Sequence, residues 1–428
     1  MKSTAVKNNV KMMIFTVALG AFAGAVLWAF LKAVTLCTEL FWDIIPESAG
    51  SPAVTIIFCV AGGLALGFLH RKFGNYPDEL NEVMGQIKKN KYYDYRPMPM
   101  ILICAFIPLI LGASVGPEAG LTGIIAGLCY WIGDNVTYAK NHTAEFSGIG
   151  EAVTLGQLFH APLFGIFMVE EEAQDTGTGQ TLPKPMKLLY YGVSTAASFL
   201  SIGILNQCFG KAMAGIAGFS EVTIEPGDYL LLLLYIPIGV ALYFWFEFSE
   251  KITGKAASKV PAIVRELICG AAIAVTGLFL PLVLFSGEEE LGGLMDTFGL
   301  YTPAFLILIC VLKILMTAFC IRFGWRGGHF FPVIFACACM GFALPMFFFA
   351  EPSAHAVFAA GVVTAAALGA QIKKPLAVTV LLLLCFPVRM IFWLFLAALI
   401  GSRLVMLVRK MTDKQENSEE NTGDNTEG

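Results

Sequence analysis

The sequence is poor in charged residues. Only 14% of its 428 residues are charged, while 57% are hydrophobic; an average soluble protein carries roughly 25% charged residues. A water-soluble fold of this size could not bury so much apolar surface, so the composition indicates an integral membrane protein. The net charge of -4 also argues against a nucleic-acid-binding protein, which would need a basic surface.

Several patterns typical of enzymes and metal sites are absent. The sequence has no His-Glu-x-x-His and no paired intramembrane aspartates, and its eleven cysteines show no metal-ligand spacing. These absences argue against a bound metal or cofactor and against a membrane protease or lipid-modifying enzyme. An enzyme that uses Glu118 and His329 as a catalytic dyad is the alternative that remains.

Apolar stretches are abundant, and each is near the ~20 residues that span a bilayer or somewhat shorter. The first follows Lys2, Lys7 and Lys11 and is too long for a cleaved signal peptide, which predicts a membrane helix with a cytoplasmic N-terminal flank. The predicted stretches are 12–45, 52–70, 98–115, 119–133, 149–169, 188–208, 229–247, 267–286, 302–321, 331–349, 356–371 and 376–408.

Charge in the connecting segments predicts the orientation. An acidic loop with Glu288, Glu289, Glu290 and Asp296 contains no basic residue and is expected on the outer side, whereas basic clusters are expected in the cytoplasm. The segment 78–95 is polar enough for a short, partly exposed helix. Residues 411–428 lack apolar anchors, which predicts a disordered cytoplasmic tail. Both termini are therefore expected in the cytoplasm. The basic clusters are Arg71-Lys72, Lys88-Lys89 with Lys91, Lys184 with Lys187, Lys251 with Lys255 and Lys259, and Lys373-Lys374.

A weak internal repeat divides the membrane domain, residues 1–410. A glycine-containing break at 112–120 precedes a short apolar helix and a later Pro-Leu, and the break at 327–332 begins a similar series. Matching breaks in two halves are typical of transporters built from inverted repeats, and they mark the binding site. The pattern predicts an all-α membrane protein with broken helices and two related halves, roughly 12–208 and 229–408.

The first break contains a lone carboxylate. Pro117 suits the first turn of a helix, and the free N–H groups of that turn form an anion site without any basic side chain. Glu118 is the only ionisable residue between Arg96 and Asp134, and a carboxylate at membrane depth indicates function. Ionised, Glu118 could occupy the place of the anion and leave it on protonation. The alternative is a glutamate that only caps its own helix.

The second break has the sequence Arg-Gly-Gly-His-Phe-Phe-Pro at 326–332. Its two glycines allow the backbone to approach a ligand closely, and the following helix can direct its first N–H groups at that ligand. His329 could add a donor, although a histidine bonded to a nearby carbonyl explains it equally well.

A third feature is an apolar helix that ends in Glu170, Glu171 and Glu172. Glutamate normally favours the start of a helix rather than its end. A solvated helix end accounts for two of the three. The third could be solvated as well, or it could face inward as a proton acceptor.

Together the three features resemble the CLC family of chloride channels and proton/chloride antiporters over roughly residues 12–410. The family's Gly-Lys/Arg-Glu-Gly-Pro is similar to Gly-Pro-Glu-Ala-Gly at 116–120, and its Gly-x-Phe-x-Pro is matched fully at 328–332. Its Ala-Pro-Leu-x-Gly helix with paired glutamates resembles residues 161–172. The bacterial members likewise lack a cytoplasmic pair of nucleotide-binding domains.

The resemblance implies roles for individual residues. Glu118 is similar to the gating glutamate, and Glu172 resembles the inner glutamate that loads protons in antiporters. The implied anion-binding residues are Gly116, Pro117, Glu118, Gly328, His329, Phe330 and Gly74.

This sequence also departs from the family pattern. Gly74 stands where the anion-coordinating serine is expected, and no tyrosine follows Tyr301 to match the C-terminal anion-coordinating tyrosine. The basic residue of the first motif is missing as well. The predicted function is exchange of an inorganic anion, such as chloride, for protons by a homodimer in the cell membrane, without a cofactor. A passive channel of the same fold is the alternative.

Overall fold

The computed structural model is almost entirely helical in the part of the chain that it describes. Its only β-type pairing there is a single isolated bridge. The structure describes residues 2–51, 53–90, 92–135, 149, 152–153, 156, 184–212, 218–219 and 221–423.

The helices are numbered here in chain order within those residues. A π-helical turn, Leu40–Ile44, joins α1 to α2. The helices are α1 (Lys2–Glu39), α2 (Ile45–Ala49), α3 (Ala53–Phe73), α4 (Leu80–Asn90), α5 (Met98–Ile110), α6 (Glu118–Asn135), α7 (Lys184–Phe209), α8 (Pro226–Ala257), α9 (Ala262–Phe279), α10 (Glu288–Thr297), α11 (Pro303–Arg322), α12 (Phe330–Ala343), α13 (Pro352–Ile372), α14 (Pro375–Leu382) and α15 (Ile391–Gly423).

Nine helical segments within the described ranges are long and apolar enough to cross a bilayer. Each has at least 18 residues, which at 1.5 Å per residue reaches about 27 Å, close to the hydrocarbon thickness. Two shorter apolar helices, Met98–Ile110 and Glu118–Ile132, accompany them. The expected all-α membrane architecture is confirmed.

The chain forms two compact units that alternate along the sequence. The first consists of Met1–Ala217, Ser249–Leu294 and Leu312–Phe335, and the second of Gly218–Phe248, Met295–Val311 and Ala336–Gly428. These units are not the predicted halves 12–208 and 229–408, whose relationship as structural repeats stays a prediction.

Small residues bring helices together in the first unit. Gly24 of α1 faces Ser198 of α7, and a methyl group on Gly24 would lie 2.6 Å from the Ser198 carbonyl oxygen. Gly20 faces Ser194 one turn earlier in the same way. Two small residues four apart on each helix are typical of membrane helix pairs, because they permit close backbone contact.

In the second unit, a buried histidine–aspartate contact joins the starts of two helices. The Nδ1 atom of His355, in the first turn of α13, lies 3.0 Å from both carboxylate oxygens of Asp228, in the first turn of α8. The His355 ring also stacks on Phe349 at a centroid distance of 3.5 Å. This contact fixes where α8 and α13 begin.

Two breaks in the first unit determine where the candidate site lies. The first break is the irregular segment between the end of α5 at Ile110 and the start of α6 at Glu118. The second break is the irregular segment between the end of α11 at Arg322 and the start of α12 at Phe330. The short helix predicted within 78–95 is present as α4. The described helices agree with most of the predicted apolar stretches.

Two predicted segments differ from the structure. The apolar stretch 376–408 is interrupted, because α14 ends at Leu382 and a turn containing Pro387 precedes α15. Proline cannot continue the hydrogen-bond ladder of a helix. Helix α15 also runs through Gly423 and therefore extends into the segment for which the sequence predicts disorder; residues such as Glu, Lys and Gln there favour helix.

Candidate functional site

The two breaks meet through their glycines. The N–H of Gly116 donates to the Gly328 carbonyl at 2.8 Å, and the N–H of Gly328 donates to the Gly116 carbonyl at 2.7 Å. This reciprocal pair forms the isolated antiparallel bridge. It places the starts of α6 and α12 side by side, so their free N–H groups and positive dipole ends converge on one region.

The side chain of Glu118 lies on this bridge. Its Oε1 accepts a hydrogen bond from the N–H of Phe331 at 3.3 Å, while its Oε2 accepts none in the described part of the chain. Glu118 is 1% exposed. A buried carboxylate with one unsatisfied oxygen is costly, which indicates that this position serves function rather than stability.

Both glycines are required by the position of that carboxylate. A Cβ atom built on Gly116 or on Gly328 would overlap the carboxylate of Glu118. The carboxylate therefore rests directly on the backbone of both breaks. Any larger residue at either position would displace Glu118 or the backbone.

A short polar chain leads away from the first break. Ser114 Oγ lies 3.1 Å from Thr317 Oγ1, and Thr317 donates to the Lys313 carbonyl at 2.8 Å. Thr122 donates to the Glu118 carbonyl at 2.7 Å. The Ser114–Thr317 contact connects α11 to the break, while the other two bonds lie within α11 and within α6.

Lys313 is a fully buried cation on α11. Its Nζ donates to the carbonyl oxygens of Phe285 at 2.8 Å and of Leu284, and it lies 5.1 Å from the centre of the Phe335 ring. Its ammonium group thus ties α11 to the segment before α10.

Two cavities reach the first break. The wide cavity has a volume of about 460 Å³ and is lined by Val115, Pro117, Lys32, Lys211 and Glu288, among others. The narrow cavity has a volume of about 20 Å³, enough for one water molecule. Its lining consists of Glu79, Glu118, Ala119, Gly327, Gly328, His329 and Phe330.

The loop that carries Glu79 is held against the second break. Arg326 donates to the carbonyls of Asn75 and Pro77 at 3.3 Å and 3.4 Å. His70 Nε2 lies 3.0 Å from the Tyr76 carbonyl oxygen. These contacts explain how a residue of the loop between α3 and α4 comes to line the same cavity as Glu118.

The structure brings together most of the predicted site residues. Gly116, Pro117, Glu118, Gly328, His329 and Phe330 all lie at the paired breaks, and Glu118 and Phe330 line the same narrow cavity. Gly74 caps α3 with an exposed backbone at φ +107° and is not among the residues that line either cavity. Glu172 lies outside the described residues.

Three residues at this site did not follow from the sequence reasoning. Glu79 lines the narrow cavity and Glu288 lines the wide cavity. Lys313 is buried and donates to the Phe285 carbonyl in the segment before α10. Lys313 could have been found, because a lone lysine in an apolar stretch is unusual at membrane depth. Glu288 carries no such signal among three consecutive glutamates.

Comparison with known proteins agrees with the geometry. The family model described as "Voltage gated chloride channel" matches residues 62–405. The chain therefore belongs to this family of membrane proteins, which are channels and transporters of anions. Among individual relatives, the ion-transport protein YfeO of Escherichia fergusonii is 23% identical over 348 residues, which cover 80% of each chain, and that of Shigella flexneri is equally similar.

Solved structures share the fold at low sequence identity. A slow cyanobacterial Cl⁻/H⁺ antiporter matches with a TM-score of 0.76 and 17% identity over 95% of this chain and 99% of that one. A CLC-type fluoride/proton antiporter matches with a TM-score of 0.70 and 18% identity over 92% and 95%. A eukaryotic CLC transporter matches with a TM-score of 0.68 and 16% identity over 92% and 71%. The predicted CLC-like fold is confirmed.

Proposed function

We propose that this protein exchanges an inorganic anion for protons across the cell membrane, with Glu118 as both gate and proton carrier. The observation that carries the proposal is the place of the Glu118 carboxylate, which rests on the Gly116–Gly328 bridge and accepts a hydrogen bond from Phe331. A negatively charged group already occupies the point at which two helix starts converge. A free anion would be stabilised there by the same N–H groups and dipoles.

Gate and anion then compete for one place. While Glu118 is ionised, its carboxylate fills the site and blocks the passage. When it takes up a proton, it loses its attraction to the helix starts, and an anion can replace it. Movement of the anion thus becomes linked to protonation of Glu118, which is the basis of exchange.

The inner side of the proton route is proposed to include Glu172, as the family resemblance implies. Glu172→Gln should therefore abolish proton coupling, because protons would no longer reach Glu118 from the cytoplasm. The anion passage, being separate, should survive the change. Preserved proton coupling in this variant would remove Glu172 from the route and leave the role of Glu118 intact.

Chloride and fluoride are the first anions to test. Solved relatives of the same fold are named as Cl⁻/H⁺ and fluoride/proton antiporters. The compact, polar site at the bridge suits a small monovalent ion. We further propose a homodimer with one pore in each subunit and both termini in the cytoplasm.

The direct test uses purified protein in liposomes. Chloride, fluoride and nitrate gradients are applied one at a time while anion efflux and external pH are recorded together. Exchange predicts that protons cross the membrane in the direction opposite to the anion. An anion gradient should then drive protons against their own gradient. Anion flux without proton movement at any pH would replace exchange by passive channel flow.

The same preparation tests the enzymatic alternative. Turnover of added lipids that depends on both Glu118 and His329 would indicate a catalytic dyad instead. Anion flux with no lipid turnover would exclude the dyad as the main activity.

A further inference from the structure

Glu288 is a buried carboxylate whose side chain has no hydrogen-bond partner among the described residues. It is the first residue of α10 and is 3% exposed, and neither of its side-chain oxygens accepts a hydrogen bond in the described part of the chain. The next residue, Glu289, is exposed. Buried polar groups are nearly always hydrogen-bonded, so a carboxyl group left without bonds calls for an explanation.

The backbone holds Glu288 in this position. Gly287 adopts φ +85°, and a Cβ atom there would lie 2.6 Å from Phe335. Phe335 belongs to α12, the helix whose start holds Glu118. The tight contact between Gly287 and α12 turns the chain so that Glu288 faces inward while Glu289 faces out.

The wide cavity connects Glu288 with the gate. Glu288 lines this cavity together with Pro117, the residue immediately before Glu118, and with Lys32 and Lys211. Lys32 donates to the Lys211 carbonyl at 2.9 Å. A volume of about 460 Å³ with charged groups in its wall holds several water molecules. A buried carboxyl group therefore lies in the wall of this cavity, and so does the residue next to the gate.

The charge environment favours the protonated form of this group. Burial raises the pKa of Glu288 well above its usual range, and the negative charges of Glu118, Glu289 and Glu290 raise it further. A second carboxylate close to an ionised one is expected to keep its proton. Glu288 is thus suited to hold a proton while Glu118 is ionised.

We propose that Glu288 relays protons between water in the wide cavity and the carboxylate of Glu118. The inference rests on the proposed exchange function, since it assigns one step of it. In that step the O–H bond of Glu288 breaks and an O–H bond forms on Glu118. The Glu288 carboxylate then takes a proton from a water-borne hydronium ion, which restores its neutral state. The reverse sequence releases a proton into the cavity.

The test compares two neighbouring glutamates. Glu288→Gln keeps the size of the side chain but cannot release and regain an acidic proton, whereas Glu289→Gln makes the same substitution on the exposed side of the same turn. In liposomes at equal anion gradients, Glu288→Gln should lower the proton-to-anion flux ratio about tenfold or more. Glu289→Gln should keep the wild-type ratio. Glu288→Asp, which retains a proton but shortens the reach, should give an intermediate ratio.

The outcomes separate the relay from the exchange function. If wild-type protein couples protons and Glu288→Gln couples them equally well, the relay is wrong and exchange stands. If wild-type protein moves no protons, both fail. A measurement independent of transport uses dicyclohexylcarbodiimide, which modifies protonated carboxyl groups in apolar surroundings. Mass spectrometry of wild-type protein should find the adduct on Glu288 and not on Glu289, and its absence from Glu288 would contradict the proposal even if the variants fail to fold.

Discussion

The Oε1 atom of Glu118 accepts a hydrogen bond from the N–H of Phe331, 213 positions later in the chain, at 3.3 Å. This distance is longer than the usual range of N–H···O bonds. The carboxylate is placed on the second break by backbone N–H groups, among them those of Phe330 and Phe331. Such a group can give up its place to an anion at a moderate cost, which is what a gate requires.

Gly328→Ala should disturb the gate directly. The new methyl group would overlap the Glu118 carboxylate, so either the side chain must leave its place or the bridge must open. We expect lower thermal stability and a leak of anions with a reduced proton ratio. Gly203→Ala provides the control, since a methyl group there would meet nothing within 4 Å.

A double variant identifies the source of that effect. When Glu118→Ala is combined with Gly328→Ala, the clash disappears because the carboxylate is gone. Gly328→Ala should then lower the thermal stability far less than it does in the wild-type background, so the effects of the two substitutions are not additive. An equal loss of thermal stability in both backgrounds would mean that Gly328 acts through the backbone and not through Glu118.

His70→Leu should destabilise the protein by about 1–3 kcal/mol, because it removes one hydrogen-bond partner of the buried Glu266 carboxylate. His70 Nδ1 lies 3.2 Å from Glu266 Oε1, and both side chains are fully buried. Without the histidine, Arg265, at 3.0 Å, remains the donor to that carboxylate. Unfolding in detergent, followed by tryptophan fluorescence, measures the loss.

The double variant His70→Leu with Glu266→Leu should recover most of that stability. It replaces both partners of the His70–Glu266 hydrogen bond by apolar groups instead of leaving Glu266 without one of its donors. A double variant as unstable as His70→Leu alone would show that the His70 ring is needed for another contact, such as that with the Tyr76 carbonyl.

Glu288→Gln should change how stability depends on pH. Burial raises the pKa of Glu288 in the folded state, while the unfolded chain has a value of about 4.3. The folded protein therefore binds this proton more tightly, and its stability falls as pH rises from about 4.3 through the folded pKa. The variant lacks this loss, so its melting temperature should exceed that of wild type increasingly toward neutral pH and converge with it in acid. A constant difference across that range would contradict the raised pKa; Glu289→Gln controls for the loss of one charge.

Anion binding should be weaker or less selective than in relatives with serine and tyrosine ligands. Gly74 offers no hydroxyl, and each missing hydrogen bond to a charged group is worth about 1.5–3 kcal/mol, or about tenfold or more in affinity. Restoring the hydroxyl with Gly74→Ser should fail, because φ +107° strains any residue with a side chain. Calorimetry that finds tight, chloride-selective binding by wild-type protein would contradict this expectation.

The sequence revealed the centre of the site because its signals there are local. A lone glutamate in an apolar run, next to glycines and a proline, is unusual whatever the tertiary structure. Two such breaks in a transporter are expected to converge, and the pairing of Gly116 with Gly328 follows that expectation. The reciprocal form of this pairing is also consistent with two related halves.

The surroundings of the site depend on tertiary contacts and could not be predicted. Glu288 and Glu289 have the same chemistry, and only the fit of Gly287 against Phe335 determines which of them is buried. Glu79 reaches the narrow cavity because Arg326, far along the chain, holds its loop. The prediction for Gly74 rested on matching a family motif; Gly74 follows α3 and is not in the lining of either cavity, and its part in anion binding stays a prediction.

The central claim is that Glu118 alternates with the anion in one place and carries the proton. Glu118→Gln imitates the protonated carboxyl, so it should leave the passage open to anions but unable to carry protons. The decisive measurement is proton uptake driven by an anion gradient in liposomes, made side by side for wild-type protein, Glu118→Gln and the surface control Asp296→Asn. The account predicts anion flux in all three, with proton uptake abolished only in Glu118→Gln. Proton uptake that persists in Glu118→Gln at the wild-type ratio would contradict it.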